Sequence, residues 1–174
     1  MPARALVTML LTVALATGCG FRLKGQTSLP ASLGAIYLSL PDDLSPFAVE
    51  MRRAFQRADA VTSNSADEAG TVVRVRVDRT GRRVLAVSAR NTPTEFEIFY
   101  LLEYSIDRAG TQEVPPQRLE LTRNFSFDES LVLAKGHEEE ILREALARDL
   151  AELVMRRLES LPTVPAPAQT GPSP

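Results

Sequence analysis

Cys19 is the only thiol and His137 the only imidazole in a chain of 174 residues, so few side chains can do nucleophilic, redox or metal chemistry. A single Cys excludes an intramolecular disulfide, and a single His excludes a His-based metal cluster. His137 stands beside Glu138, Glu139 and Glu140, which suits an exposed polar residue better than a general base. Asp42-Asp43 precedes a candidate helix and reads as turn and capping material rather than as an acid/base pair. The sequence has no G-x-S-x-G elbow, no phosphate-cradling glycine loop and no metal spacing, so a membrane-tethered hydrolase lacks its catalytic groups. No cofactor or metal is expected. What remains is covalent chemistry at Cys19 and charge pairing by basic side chains.

The thiol sits at a seam in LATGCGFRLKG, residues 15–25. Arg4 gives a positive start, Leu6 to Ala16 are almost all apolar, and the small residues Thr17 and Gly18 come directly before Cys19. Residues 1–18 therefore read as a secretory signal peptide, too short to span a bilayer. A Cys placed directly after such small residues is the acceptor of a lipid in exported lipoproteins. The pattern differs from its commonest form in carrying Ala16, not Leu, three residues before the Cys, with Leu15 one place further back. Each buried methylene contributes about 0.8 kcal/mol, so one acyl chain binds marginally and several anchor stably. The bland alternative is a plain signal peptide followed by an incidental Cys.

The 44% apolar content is enough for one core of ordinary size, and a net charge of −2 does not advertise nucleic-acid binding. Along the chain, AIYLSL (35–40) reads as a short strand ending at Pro41. Ser45-Pro46 supplies an N-cap and a first-turn Pro, and Phe47, Met51, Ala54, Phe55 and Ala58 recur at helical spacing. Residues 62–70 lack periodicity and should loop. In TVVRVRVDRT (71–80), Val73, Val75 and Val77 alternate with Arg74, Arg76 and Asp78, which predicts one buried row and one charged, wet row. Thr80-Gly81 is a turn signal, after which residues 82–90 should return antiparallel. Phe96, Ile98, Tyr100, Leu102, Tyr104 and Ile106 share one face of the clearest strand, whose Phe96/Tyr100/Tyr104 row reads as core; Glu95, Glu97 and Glu103 take the other face. A turn at Ala109-Gly110 leads to a strand over 117–127, with Leu119, Leu121, Phe125 and Phe127 aligned.

The last element starts near Gly136 and stops at Pro162, with Leu142, Leu146, Leu150, Leu153 and Leu161 on one stripe. Glu138 to Glu140 in its first turn and Arg156 and Arg157 in its last complement the helix dipole. The Pro-rich residues 162–174 read as a disordered tail. Two helices and a largely antiparallel sheet with one charged face predict an α+β, two-layer sandwich with both helices on the apolar face.

CGFRL at the anchor, RNTPTEFE, and SLVLAKGHEEEILREALARDLAELVMRRL together resemble the lipopolysaccharide-assembly lipoprotein (LptE) family, over residues 19–161 as one domain. The resemblance implies two helices on a four-stranded sheet, with AIYLSL as a further strand or an edge. It also implies a non-enzymatic role: an outer-membrane lipoprotein, held on the periplasmic side, that plugs the large LptD barrel and binds lipopolysaccharide during export. Gly20, rather than Asp, after Cys19 fits outer-membrane sorting. Matching the family's pattern places its lipopolysaccharide-contacting basic residues at Arg90 and Lys135, the first at the end of a strand and the second just before the long helix. Arg suits planar bidentate pairing with phosphate and carboxylate, Lys a mobile point charge, and a helix start can face an anion. Glu138 to Glu140 oppose an anion near Lys135, and for both cations the alternative is a solvated or salt-bridged surface charge. Arg74, Arg76, Arg82 and Arg83 form a second candidate basic cluster, better read as gatekeeping charge on a polar strand face. The rival reading of the whole is a generic envelope lipoprotein that recruits another periplasmic partner and has no lipopolysaccharide site.

Overall fold

The computed structural model describes residues 29–126 and 132–162, with side chains from 136 onward in the second stretch. Cys19, the leader, Phe127 and the tail beyond Pro162 lie outside the described residues. In chain order the elements are β1 (Ile36–Ser39), α1 (Pro46–Arg57), β2 (Thr71–Val87), β3 (Pro93–Arg108), β4 (Thr111–Ser126) and α2 (Val132–Glu159). One sheet holds the strands in the order β1-β2-β3-β4. β1 runs parallel to β2 through the α1 crossover, and the other two pairings are antiparallel. The expected α+β architecture is observed, and AIYLSL supplies β1, one of the sheet's two edge strands.

Local chemistry accounts for most boundaries. The Ser45 hydroxyl accepts from the Ala48 amide at 3.0 Å and Pro46 occupies the first turn, so α1 starts where a capping side chain and a preset φ coincide. Phe47, Met51, Ala54 and Phe55 bury one side of it. The β3–β4 turn needs positive φ at both central positions, and Ala109 (48°) and Gly110 (78°) supply it. β3, the most central long strand, buries all six residues of its expected core row. On α2 the buried seam is Leu146, Ala147, Leu150, Ala151, Val154 and Leu158; Leu142 and Leu153 from the expected stripe lie at its margin, and Leu161 is buried just past the helix.

Two expectations are corrected. Thr80-Gly81 is not a turn: β2 runs unbroken through it, with Gly81 opposite Phe99. A Cβ at position 81 would fall 2.8 Å from the Phe99 ring, so the glycine makes room for an aromatic lying across the strand, and the real turn comes at 88–92. The alternation through 71–80 also breaks, because the register shifts between Val75 and Val77. A bulge of one residue reverses which face each later side chain occupies. Asp78 thereby leaves the wet row and meets the helices: it accepts from the Ser45 hydroxyl and, at 2.7 Å, from the Tyr100 hydroxyl, which in turn accepts from the Phe47 amide at 3.0 Å. These bonds fasten the start of α1 to the middle of the sheet.

Candidate functional site

Arg90 sits at the tip of the β2–β3 hairpin, and the tip is built by Ser88. The Ser88 amide donates to the Thr92 carbonyl at 2.8 Å and its carbonyl accepts from Asn91 at 2.9 Å. Its hydroxyl accepts from the amides of Arg90 (3.2 Å) and Thr92 (3.3 Å), and Asn91 takes φ 60°, a left-handed conformation that Asn tolerates. The backbone is thus well tied while the Arg90 side chain is exposed, with no hydrogen bond or ion pair among the described residues. A guanidinium held that way keeps its five donors available to an anion.

Lys135 does not precede the long helix. α2 starts at Val132, so Lys135 is its fourth residue, and the helix continues through Gly136. Gly inside a helix costs about 1 kcal/mol relative to Ala, which the good formers around it outweigh. Position 136 has open space around it, so no packing demand explains the glycine.

The fold brings Arg90 and Lys135 to one end of the molecule. Ser126, the last residue of β4, pairs with Glu95 near the start of β3, next to the hairpin tip. Arg82 of β2 reaches Glu139 of α2 at 2.9 Å and lies 4.9 Å over the Phe96 ring, which stacks on Phe125 at 5.7 Å. Glu139, 8% exposed, is shared with Arg143 one turn on. The beginning of α2 is therefore clamped over the same end of the sheet that carries Arg90. Sequence spacing gave no hint of the Arg82–Glu139 contact, because the partners are far apart in the chain and ordinary in type.

The second basic cluster is dispersed. Arg74 faces Asp107 at 3.5 Å, Arg76 is the exposed bulge residue, and Arg82 and Arg83 lie on opposite faces of the sheet. Arg83 stacks 4.9 Å over Phe99 and bridges Glu97 (2.6 Å) and Glu120 (2.8 Å), spanning three strands. The hydrogen bond from Arg83 holds the Glu120 carboxyl below its usual range, and Glu120 in turn raises the guanidinium. His137 is exposed. Asp42 accepts from the Leu44 amide at 2.9 Å, the turn duty expected of it, whereas Asp43 pairs with Arg52 at 2.6 Å and the cap itself falls to Ser45. A cavity of about 480 Å³ opens at the far end of the sheet, between β1 and α1, with Leu38 and Phe55 in its wall and the Asp43–Arg52 pair at its side.

A family model described as Lipopolysaccharide-assembly, LptE, matches residues 33–158. The chain belongs to this family. Among relatives, the LPS-assembly lipoprotein LptE of Pectobacterium atrosepticum is 24% identical over 149 residues, covering 85% of this chain and 80% of that one. The protein of the same name from Yersinia enterocolitica is 22% identical over 149 residues, covering 85% and 72%. Two solved structures share the fold: a lipoprotein B from Nitrosomonas europaea (TM-score 0.68, 24% identity, 81% of this chain and 91% of that one) and the rare lipoprotein B from Shewanella oneidensis (TM-score 0.63, 21% identity, 72% and 94%). For this LptE family member the role is that of a lipopolysaccharide-assembly lipoprotein of the envelope. Among the described residues no helix is long and apolar enough to cross a membrane.

Proposed function

We propose that the chain is a non-enzymatic outer-membrane lipoprotein. Processed after residue 18 and lipidated on Cys19, it sits on the periplasmic side, plugs the LptD barrel and binds lipopolysaccharide through Arg90 and Lys135 during export. The observation that carries this reading is the family match over residues 33–158, within which Arg90 is an unpartnered cation on a well-tied hairpin tip. The phosphates and carboxylates of the inner lipopolysaccharide region are acceptors that a free guanidinium and a lysine ammonium can pair with. Lipid attachment at Cys19 would leave residues 19–161 as the folded domain beneath the bilayer.

Binding of purified lipopolysaccharide to the full-length lipoprotein tests the site. Arg90→Asp and Lys135→Asp should each weaken it about tenfold, the loss expected for one charge-assisted contact of roughly 1.5 kcal/mol, without lowering the melting temperature. Unchanged binding in both folded variants removes the two residues from the account. Extraction in mild detergent tests the partner: recovery of a large barrel in equal amount supports the plug, and its absence supports a generic envelope lipoprotein.

A further inference from the structure

β2 is bonded on both sides over a short stretch only. β1 covers Thr71–Arg74, and the chain leaving β1 arrives at Ser45, whose hydroxyl donates to Asp78. From Arg79 to Val87 no strand lies on the outer side of β2 among the described residues. That is about 30 Å of open edge at roughly 3.3 Å per residue. An open edge displays unpaired N–H and C=O groups, and proteins ordinarily blunt it with prolines, charge or a cover.

The sheet's other edge, β4, is also without an outer strand among the described residues, but it is blunted by exposed charge at Arg118, Glu120 and Arg123 and by prolines. Pro115 and Pro116 interrupt β4 where its register with β3 shifts, between the Tyr104 and Ile106 pairings, and neither offers an N–H. The open part of β2 is unlike it. Val84, Leu85 and Val87 are 49%, 46% and 54% exposed on an edge that nothing covers among the described residues. Residues 75–90 also carry Arg76, Arg79, Arg82, Arg83 and Arg90 against the single carboxylate Asp78, in a chain of net charge −2. Arg82 and Arg83 are engaged by glutamates, whereas Arg76 and Arg79 are exposed with no side-chain partner among the described residues.

We propose that the Arg79–Val87 edge of β2 receives an extended acidic segment of a partner protein as an added strand. Its main chain pairs with the edge, its carboxylates meet Arg76 and Arg79, and its apolar side chains cover Val84, Leu85 and Val87. A second copy of this chain is disfavoured, because edge-to-edge pairing would set arginines against arginines. An acyl chain offers no donors or acceptors to the exposed backbone. The proposal goes beyond the lipopolysaccharide reading, since neither Arg90 nor Lys135 takes part.

The test uses the full-length lipoprotein in mild detergent and three blocked nine-residue peptides: alternating Glu and Val, alternating Lys and Val, and the Glu/Val peptide with N-methylated backbone. The Glu/Val peptide should bind at least tenfold more tightly than either of the others and slow amide exchange across Arg79–Val87. Arg79→Glu should weaken it tenfold or more with an unchanged melting temperature, and Leu85→Asp provides an independent variant on the same edge. Equal binding of the Lys/Val peptide, or protection elsewhere in the chain, overturns the proposal. Protection of Arg79–Val87 that rises with protein concentration alone assigns the edge to a second copy, and displacement of the peptide by lipopolysaccharide from those amides assigns it to lipid; either result overturns the proposal as well.

Discussion

Gly81 is defined by what it lets approach. The Phe99 ring crosses the strand there and Arg83 stacks on the ring, so a branched side chain at 81 must push both aside. Gly81→Val should cost about 1–3 kcal/mol, the usual range for overpacking, and Phe99→Ala in that background should recover part of the loss, read as melting temperatures of the four-member cycle. Tyr100 is the second residue whose role is specific. Removing its hydroxyl leaves the Phe47 amide without its acceptor and takes one donor from Asp78, so Tyr100→Phe should cost about 1–3 kcal/mol at neutral pH. Burial, reinforced by the bond to Asp78, pushes the Tyr100 hydroxyl above its ordinary range. The unfolded chain loses this proton near pH 10 while the folded one keeps it. The contribution is thus full below about pH 10 and declines as pH rises further. Denaturant titrations at pH 8 and pH 11 should show a smaller alkaline loss for Tyr100→Phe than for the parent.

At the scale of elements, the ion pair of Arg82 with Glu139 joins α2 to the sheet near the helix's beginning. Arg82→Gln should speed amide exchange over Gly136–Arg143 and leave the Leu146–Leu158 stretch protected, because the apolar seam lies in the latter. Legibility followed burial. β3 is covered by a neighbour on each side and the helices on one face, so its period-two pattern was clean enough to read every inward residue. β2 departs from its apparent pattern twice, each time for a physical reason. A Thr-Gly pair makes a plausible turn unless one knows that an aromatic on the next strand needs the space, and one bulge residue reverses the faces without altering composition. α2 begins four residues before Gly136, a glycine that mimics a helix boundary in the sequence.

For the molecule as a whole, the core among the described residues draws on side chains from Leu29 to Leu161. Cys19→Ala should leave the melting temperature within about 1 °C, a surface-like change, while moving the protein from the membrane to the soluble fraction; retention in the membrane would remove the lipid attachment. Acid should loosen the outward face first. The Glu120 carboxyl titrates below its ordinary value, so its bond to Arg83 is intact above about pH 4.3 and is lost as pH falls through the lowered value. Arg83→Gln should abolish that part of the acid sensitivity in a pH series of unfolding curves. The candidate site was less legible than the fold: nothing about Arg90 in isolation distinguishes it from other exposed arginines, and its position became meaningful through the family pattern and through a hairpin that ends where α2 begins. The paired prolines of β4 carry a last consequence for how that flank can be extended. With no N–H at positions 115 and 116, a strand laid along β4 would lose its main-chain bonds there, so a continuous ladder cannot run the full length of that side.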